Sequence, residues 1–250
     1  MQNSKTFADD NLRRLSENPY PGSGVVLGTD DSGQNLIQIH WIMGRDENSR
    51  NRLISRSGAE EVLIKAVDDS KVTNPYNLFY AAMGEVSRNG RYVVSNGTQT
   101  NSVRDSFFAQ EFDLLNALRS HRYENDEPDN TPRITGVSYT RGAFIAELSI
   151  IRKSSFDDSC RRFLYRYETI PQGFGYFVST YLGHSEPLLS WEGDPELVPI
   201  EGDIADIANS YWTMLDEKNR VSLVVKRIPV STRPVPQDYQ SEIFVINKYE

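Results

Sequence analysis

The feature that most constrains the fold of this chain is a series of short apolar segments separated by turns. Ile37, Ile39 and Trp41 alternate with the polar residues Gln38 and His40, which is the period-two pattern of a half-buried strand. Comparable segments follow along the chain and end at Gly, Pro, Asn or Asp residues that favour turns. Because helices do not alternate with strands one for one, a doubly wound parallel sheet is disfavoured. The pattern predicts an α+β fold of antiparallel sheets with helices on the outer faces.

About eight to ten strands are predicted, mostly joined as hairpins. They are expected at residues 24–29, 35–43, 61–67, 91–95, 133–139, 143–152, 162–168, 176–181, 221–225 and 242–246. No linker marks a domain boundary, so we expect one domain over residues 1–250, with residues 1–18 as an N-terminal extension. A short helix is expected at residues 9–17 of that extension.

Two longer helices are predicted as well. The first spans residues 102–119 with Ser102 as its N-cap, because large apolar residues recur there at spacings of three and four and would form one stripe. The residues of this stripe are Phe108, Phe112, Leu115 and Leu118. The second helix spans residues 203–216, and Asp203 is its candidate N-cap.

The overall composition excludes several classes of function. The net charge of −8 and a pI near 5.1 argue against a nucleic-acid or anionic-membrane binder, since both need a basic surface. The polar residues 1–18 lack the apolar core of a signal peptide, and no apolar run approaches the roughly 20 residues that span a bilayer. We therefore expect a cytoplasmic protein with no nucleic-acid or membrane partner.

The cysteine and histidine content gives little support for metal chemistry. Cys160 is the single cysteine, and His40, His121 and His184 are far apart in sequence, so neither a thiolate cage nor a histidine cluster is expected. Carboxylate sites for magnesium stay open. His121 is interpreted as a cation at the end of the helix predicted for residues 102–119, where the helix dipole favours positive charge.

Residues 45–52 form an unusual local concentration of guanidinium groups in an acidic chain. This segment contains Arg45, Arg50 and Arg52. Arginine presents a rigid fork of donors that matches phosphate or carboxylate, so the segment is a candidate site for a small anion. The alternative is a solvated loop whose charge is neutralised by Asp46 and Glu47.

Three further polar clusters lie at strand ends or in loops. They are residues 74–77, residues 95–100 and residues 123–133. In the second of these, exposed amides together with the hydroxyls of Thr98 and Thr100 could hold an anion at the start of the following helix. A turn followed by ordinary helix caps is the alternative interpretation of that cluster.

Taken in order, these clusters resemble the IMP cyclohydrolase family of the archaeal type and its bacterial relatives. The likeness covers roughly residues 20–225. It rests on Tyr76-Asn77, on Ser95-Asn96-Gly97-Thr98-Gln99-Thr100, on Tyr123-Glu124 followed by Thr131-Pro132-Arg133-Ile134, on Ser49-Arg50-Asn51-Arg52 after a Trp-led strand, and on Asn219-Arg220-Val221-Ser222-Leu223 near Trp212. The chain departs from the family pattern in residues 1–18 and in the loop at residues 45–48.

The resemblance implies both a fold and a reaction. The fold would be a four-layer αββα sandwich of antiparallel sheets, like that of the N-terminal nucleophile hydrolases. The reaction would be the reversible closure of 5-formamidoimidazole-4-carboxamide ribotide to IMP with loss of water, the last step of purine biosynthesis, without a cofactor or metal. The partner would be a purine ribonucleotide, and homo-oligomerisation is left open.

The residue set suits that reaction, which needs proton transfer, a stabilised oxyanion and a clamp for the phosphate. Tyr76 and Glu124 are candidates for proton transfer, although Glu124 could instead be an ion-pair partner of Arg133 or Arg122. Asn96 and Thr98 are candidates for binding the carboxamide or the oxyanion. Arg50, Arg52 and Arg133 are candidates for phosphate or oxyanion contact, and the further substrate-binding candidates are Arg45, Asn51, Asn77, Gly97 and Thr131.

Two other functions stay open from the sequence. The first is an amide hydrolase with an N-terminal nucleophile, whose own amine would serve as the base. Since Gln2 cannot be that nucleophile, such an enzyme would need internal cleavage before Ser23, Thr29 or Thr98. The second is a nucleotide-binding or assembly protein that keeps the site without the chemistry.

Overall fold

Two antiparallel sheets dominate the computed structural model, which describes residues 3–58, 60–72, 80–86, 90–108, 112–230 and 241–249. The strands are β1 (Gly24–Thr29), β2 (Asn35–Met43), β3 (Leu53–Ser57), β4 (Glu61–Lys65), β5 (Tyr80–Val86), β6 (Arg91–Ser95), β7 (Arg133–Tyr139), β8 (Ala146–Lys153), β9 (Cys160–Tyr167), β10 (Phe174–Ser179), β11 (Glu196–Pro199), β12 (Arg220–Pro229) and β13 (Glu242–Asn247). The first sheet has the order β11-β10-β1-β2-β12-β13, and the second runs from β3 to β9 in sequence order.

The helices lie against the two sheets. They are α1 (Ser4–Glu17), α2 (Glu47–Arg50), α3 (Gln99–Ser106), α4 (Leu114–Ala117) and α5 (Ile204–Met214). Helix α1 packs on β11 and α5 packs on β12 and β13, whereas α3 packs on β5, β6 and β7. The architecture is therefore an α+β sandwich of two antiparallel sheets with few helices.

The two sheets pack face to face through β1 against β7 and β8 and through β2 against β6. At Gly136 on β7, an added Cβ would come within 2.9 Å of Leu27 Cδ2 on β1, so the glycine permits this close approach. Strands β1 and β2 are buried along nearly their whole length. Burial of both faces accounts for the almost continuous apolar sequence of β1. The half-buried strand predicted from the alternation in β2 was wrong, since its polar residues Gln38 and His40 are fully buried as well.

A second, smaller core lies between the seven-stranded sheet and helices α3 and α4. Val93, Val137 and Ile151 contribute from the sheet. Phe107 and Leu114 contribute from the helical side, and both are fully buried. The α3–α4 region is therefore held by apolar packing of the kind that the sequence suggested for a single long helix.

The long helix predicted at residues 102–119 was wrong. The structure has α3, which begins at Gln99 rather than after Ser102, and the separate short helix α4, which Asp113 caps by accepting from Asn116 N. The predicted stripe fails because Phe108 is 75% exposed and Leu115 is 41% exposed. The core instead contains Phe107 at the C-cap of α3 and Leu114 in α4, which spacing counted along one continuous helix cannot anticipate.

His121 also differs from its prediction. It follows α4 rather than ending a long helix, and its Nε2 lies 2.8 Å from Ser102 Oγ. Burial lowers the pKa of His121, and the nearby positive charge of Arg133 lowers it further. The residue is thus better suited to a neutral hydrogen-bonding role than to that of a helix-terminal cation.

Most of the other predictions were confirmed with small shifts in their bounds. The bounds of β1, β2, β6 and β7 match the predicted ranges, and Asp203 caps α5 by accepting from Ala205 N and Asp206 N. Strands β3, β5 and β11 were not anticipated. The short helix expected at residues 9–17 is longer, since α1 begins at Ser4. Within the part of the chain that the structure describes, no helix is long and apolar enough to cross a membrane.

A polar cavity at one end of the sandwich

A cavity of about 330 Å³ opens at the end of the sandwich where β1 begins and β2 and β10 end. Its lining comes from strand ends and from the loops that follow them. The lining residues are Tyr20, Gly22, Ser23, Met43, Arg45, Asp46, Asn48, Ser49, Arg52, Asn96, Glu124, Asp126, Asp129, Thr131, Thr180, Tyr181 and Leu188. Arg45, Arg52, Asn96, Glu124 and Thr131 are the sequence-derived candidates among them.

One side of the cavity, which we call the arginine wall, consists of the lining residues between Met43 and Arg52. Its backbone is set by α2, whose N-terminus Asp46 caps by accepting from Ser49 N at 2.8 Å, while Ser49 Oγ accepts from Asp46 N. At Gly44, a Cβ would come within 2.7 Å of the Ser49 carbonyl carbon. Glycine therefore lets the single turn of α2 fold back onto the end of β2.

Arg52 is held on the arginine wall by backbone carbonyls. Its Nε donates to Ser49 O at 2.8 Å and its Nη2 donates to Met43 O at 2.9 Å. Because a guanidinium has five N–H donors, these two bonds orient the group and leave further donors for an anion in the cavity. The positive charge of Arg52 also acts to lower the pKa values of Glu124 and His40.

Arg45 has an acidic partner, but not the one suggested by sequence. Its Nη2 lies 2.9 Å from Asp129 Oδ2, and its Cζ lies 5.0 Å from the centre of the Tyr20 ring. Asp46 instead caps α2, and Glu47 pairs with Lys71. Since Asp129 also accepts from Leu188 N at 3.0 Å, Arg45 ties the arginine wall to two other segments of the chain.

A second part of the lining, which we call the carboxylate wall, consists of three acids and a threonine: Glu124, Asp126, Asp129 and Thr131. Burial raises the pKa of Glu124, and the negative charge of Asp126 adds to the rise, while Arg133 opposes it. Glu124 Oε1 lies 3.3 Å from Arg133 Nη1, so the ion pair expected as the alternative for Glu124 is present. Glu124 nevertheless lines the cavity as well.

A chain of hydrogen bonds joins Asp126 to an aromatic residue across the cavity. Thr131 N donates to Asp126 Oδ1 at 2.7 Å, and Thr131 Oγ1 is hydrogen-bonded both to Asp126 Oδ2 and to Tyr181 OH. Burial raises the pKa of Asp126, although the bonds from Thr131 counteract this effect. Tyr181 stacks on Tyr20 with ring centres 6.1 Å apart. The carboxylate wall is thereby connected to an aromatic pair.

Asn96 is fixed in one orientation immediately after β6. Its Oδ1 accepts from Ile134 N at 2.9 Å and from Gln99 Nε2 at 3.0 Å, and its Nδ2 donates to Pro132 O at 2.9 Å. An amide nitrogen carries two hydrogens, so one N–H remains for a ligand. A fixed donor of this kind is suited to binding a carbonyl oxygen or an oxyanion.

Several other candidates lie outside the cavity lining, and their proposed contacts with a substrate stay predictions. Arg50 donates to Gly44 O at 3.0 Å, and Asn51 exchanges two 2.8 Å hydrogen bonds with the backbone of Asp68. Thr98 occupies the N-cap position of α3 without a side-chain cap bond. Tyr76 and Asn77 lie outside the described residues.

Arg133 and Gly97 lie behind Glu124. Arg133 donates to Arg122 O and to Gln99 Oε1, each at 2.8 Å. At Gly97, a Cβ would come within 2.5 Å of Arg133 Nη1, so the glycine allows this guanidinium to reach Glu124. The two residues therefore support a cavity group rather than forming the cavity surface.

The sequence interpretation missed the aromatic and some of the acidic lining. Tyr20 and Tyr181 come just before β1 and shortly after β10, and their position at strand ends was an available signal. Asp129 belongs to the polar cluster at residues 123–133 but was not a candidate, and its side chain is only 20% exposed. Its pairing with Arg45 spans 84 residues of sequence, so local pattern gave no sign of it.

The fold and this site together define an α+β sandwich protein with a small-molecule cavity rich in paired polar groups. In a comparison with protein families, the model described as IMP cyclohydrolase-like protein matches residues 20–231. The chain belongs to this family. Helix α1 and strand β13 lie outside the matched range. A comparison with curated proteins returned no match.

Proposed function

We propose that this protein is an IMP cyclohydrolase, which closes 5-formamidoimidazole-4-carboxamide ribotide to IMP with loss of water and catalyses the reverse reaction. Family membership supports the general activity. The observation that carries the specific proposal is the presence of Arg52, Asn96 and Glu124 on one cavity of about 330 Å³. That volume falls within the range of small-molecule sites, roughly 300–1,000 Å³.

The chemistry assigns a different task to each side of the cavity. In ring closure the carboxamide nitrogen attacks the formyl carbon and gives up one proton, and the formamido nitrogen gives up a second as the ring C=N bond forms. The former formyl oxygen gains negative charge, takes up two protons and leaves as water. The free N–H of Asn96 and the remaining donors of Arg52 would stabilise that oxygen or hold the ribotide phosphate. Burial raises the pKa of Glu124 and so favours its protonated form, from which it would deliver a proton to the departing oxygen.

The excess of acids in the cavity is compatible with an anionic substrate. Asp46 is engaged at the N-terminus of α2, and Asp129 is paired with Arg45. Burial raises the pKa values of the other two acids, Glu124 and Asp126, which reduces their negative charge near the ligand. The cavity therefore presents less negative charge than its composition suggests.

The proposal also includes the finer features of fold and substrate. The sandwich would be of the N-terminal nucleophile hydrolase type, supported by its two facing antiparallel sheets with helices packed on each. A purine ribonucleotide would be the ligand. Tyr76 is retained as a proton-transfer candidate on the strength of the sequence resemblance.

The direct test is an assay for IMP formation. The formylated ribotide would be incubated with purified protein, and IMP would be separated and quantified by chromatography. We expect turnover by the wild type and a strong loss in Arg52→Ala. The control is Arg56→Ala, since Arg56 is an exposed arginine on neighbouring β3. IMP binding without turnover in either direction would instead support a nucleotide-binding protein.

Ser23 supports a second candidate, an amide hydrolase with an N-terminal nucleophile. It lies directly before β1 and lines the cavity, whereas Thr29 and Thr98 do not. Hydrolysis of the Gly22–Ser23 peptide bond would free the Ser23 amine to act as the base for its own hydroxyl. An intact mass of 28.5 kDa for the purified protein would exclude this candidate, and a fragment beginning at Ser23 would support it.

A further inference from the structure

A second cavity of about 520 Å³ lies along the faces of β8 and β9 and beneath residues 191–194. It shares no lining residue with the first cavity among the residues that the structure describes. Its lining combines aromatic and charged side chains. These residues are Ile150, Arg152, Arg161, Phe163, Leu164, Tyr165, Trp191, Glu192, Gly193 and Asp194.

Two arginines face each other across the strands of this cavity. Arg152 on β8 is the register partner of Arg161 on β9, so their side chains leave the sheet on the same face. Both guanidinium carbons lie over the Phe163 ring, at 5.5 and 5.3 Å from its centre. Like charges placed directly opposite on adjacent strands destabilise the pair. An anion bound between the two groups would remove that cost.

Of the two acids that line this cavity, Glu192 pairs with one of the arginines and Asp194 lies near Tyr165. Glu192 pairs with Arg152 at 2.9 Å. Burial raises the pKa of Tyr165, and the neighbouring charge of Asp194 raises it further, while the Tyr165 hydroxyl donates to Gly193 O at 3.1 Å. In the described part of the chain, no ion pair involves Arg161. The arginine pair therefore has one carboxylate, Glu192, in ion-pair contact.

The Arg152–Glu192 pair is itself open to exchange with a ligand. The Arg152 side chain is 7% exposed, whereas the Glu192 side chain is 56% exposed. A buried guanidinium needs an anionic partner, but a half-exposed glutamate loses little when it returns to water. An incoming carboxylate, sulfonate or phosphate group could take its place between the two arginines.

The remaining surface favours a flat ligand. Phe163, Tyr165 and Trp191 supply ring surface around the arginine pair, and aromatic rings stack on flat partners and on guanidinium planes. We propose that this second cavity binds a planar aromatic anion, held by Arg152 and Arg161 and stacked against the aromatic lining. This site is separate from the one proposed for IMP, so the proposal stands or fails independently of the enzyme activity.

The experiment is calorimetric titration of the full-length protein with naphthalene-2-sulfonate, a planar aromatic anion. We expect saturable one-to-one binding to the wild type and at least about tenfold weaker binding to Arg161→Gln, because a lost charged hydrogen bond is commonly worth that factor. Glu192→Gln should bind the probe more tightly, since it removes the competing carboxylate. Neutral 2-naphthol should bind at least about tenfold more weakly than the sulfonate.

Two control variants locate the binding event. Arg141→Gln changes an exposed arginine in the turn between β7 and β8 and should leave the affinity unchanged. Arg52→Ala changes the first cavity and should also leave it unchanged. Arg161 is exposed, so Arg161→Gln should fold, and a thermal melt checks this. Absence of wild-type binding, unchanged affinity in Arg161→Gln, or loss of binding in Arg52→Ala would each overturn the proposal.

Discussion

The arginine wall and the carboxylate wall hold their charges in different ways. On the arginine wall, neutral backbone carbonyls of Ser49 and Met43 orient Arg52 without cancelling its charge. On the carboxylate wall, burial favours the protonated forms of Glu124 and Asp126. The difference has a physical cause: bonds to neutral carbonyls leave the charge of Arg52 intact, whereas poor solvation shifts buried carboxyl groups toward their neutral forms.

Removing the proposed proton donor, Glu124, should have the largest effect. Glu124→Gln keeps the size of the side chain but cannot transfer a proton, so we expect kcat/KM for ring closure to fall by about 10²–10⁴-fold. Glu127→Gln changes an exposed acid in the same loop and serves as the control. Wild-type activity in both variants would show that Glu124 does not transfer a proton in ring closure.

The same substitution tests the cause of the raised pKa. Because the folded state favours the neutral carboxyl of Glu124, ionisation costs stability as pH rises above the ordinary carboxyl pKa of about 4.3. Thermal melts should therefore show Glu124→Gln to be at least as stable as the wild type at pH 8, with the advantage lost near pH 4. A variant that is less stable at pH 8 would mean that the Arg133 ion pair outweighs burial.

A pH effect on stability should arise at His40, which is buried between the sheets and feels the charge of Arg52. Burial lowers the His40 pKa to about 4, and its Nδ1 donates to Gly24 O at 2.9 Å. The unfolded state binds the proton first as pH falls from about 6.5, so stability should fall by about 3 kcal/mol as pH approaches 4.

Denaturant titrations of the wild type and of His40→Gln between pH 7 and pH 4.5 measure this effect. The variant should lose most of the pH dependence in that window, although its stability at pH 7 will be lower. His184→Gln, which changes an exposed histidine, should keep the wild-type slope. Parallel slopes for the wild type and His40→Gln would rule out His40 as the source.

The arginine wall is tested by comparing two neighbouring arginines. Arg52 lines the cavity, whereas Arg50 donates to Gly44 O and lies outside the lining. Arg52→Ala should lower kcat/KM by roughly 10–150-fold, the equivalent of about 1.5–3 kcal/mol for a hydrogen bond to a charged group. Arg50→Ala should change it by less than about threefold. A larger loss of kcat/KM in Arg50→Ala than in Arg52→Ala would show that the anion binds on the side of the loop that carries Arg50.

The smallest expected effect concerns the link between Tyr181 and the carboxylate wall. Tyr181→Phe removes the hydrogen bond to Thr131 and keeps the ring, so we expect a loss of about 1 kcal/mol, or roughly fivefold in kcat/KM. Tyr20→Phe keeps the same stacked pair and is the matched control. Steady-state kinetics measure kcat/KM for both variants and for the wild type. If Tyr181→Phe matched Tyr20→Phe and the wild type, the hydroxyl of Tyr181 would contribute nothing.

Sequence pattern predicted the sandwich better than it predicted the helices on its faces. The alternation along β2 and the turn residues around β1 and β7 predicted these strands correctly, because a strand and its ends can be recognised from the local sequence pattern. The helix expected at residues 102–119 was wrong. Its predicted apolar stripe included Phe108, which is 75% exposed, and omitted Phe107, which is fully buried. The positions of the neighbouring strands decide which of two adjacent aromatics enters the core.

The residues of the candidate site were likewise predicted only in part from the sequence. Arg52, Asn96 and Glu124 lie at loop positions that sequence order singled out, and they line one cavity. Arg50 and Asn51 have equally suitable chemistry, yet backbone groups of Gly44 and Asp68 engage their side chains. Residue type indicates what a side chain can bind, but the local backbone determines the direction in which it points.

By itself, the sequence determined the class of fold, the family likeness and the kinds of group available for chemistry, because these depend on local periodicity and on short ordered motifs. Only the tertiary structure decided which charges meet. The pairing of Arg45 with Asp129 and the opposition of Arg152 and Arg161 depend on strand order and register. Glu124 is buried only after segments distant in sequence have packed around it and excluded water, and this burial raises its pKa.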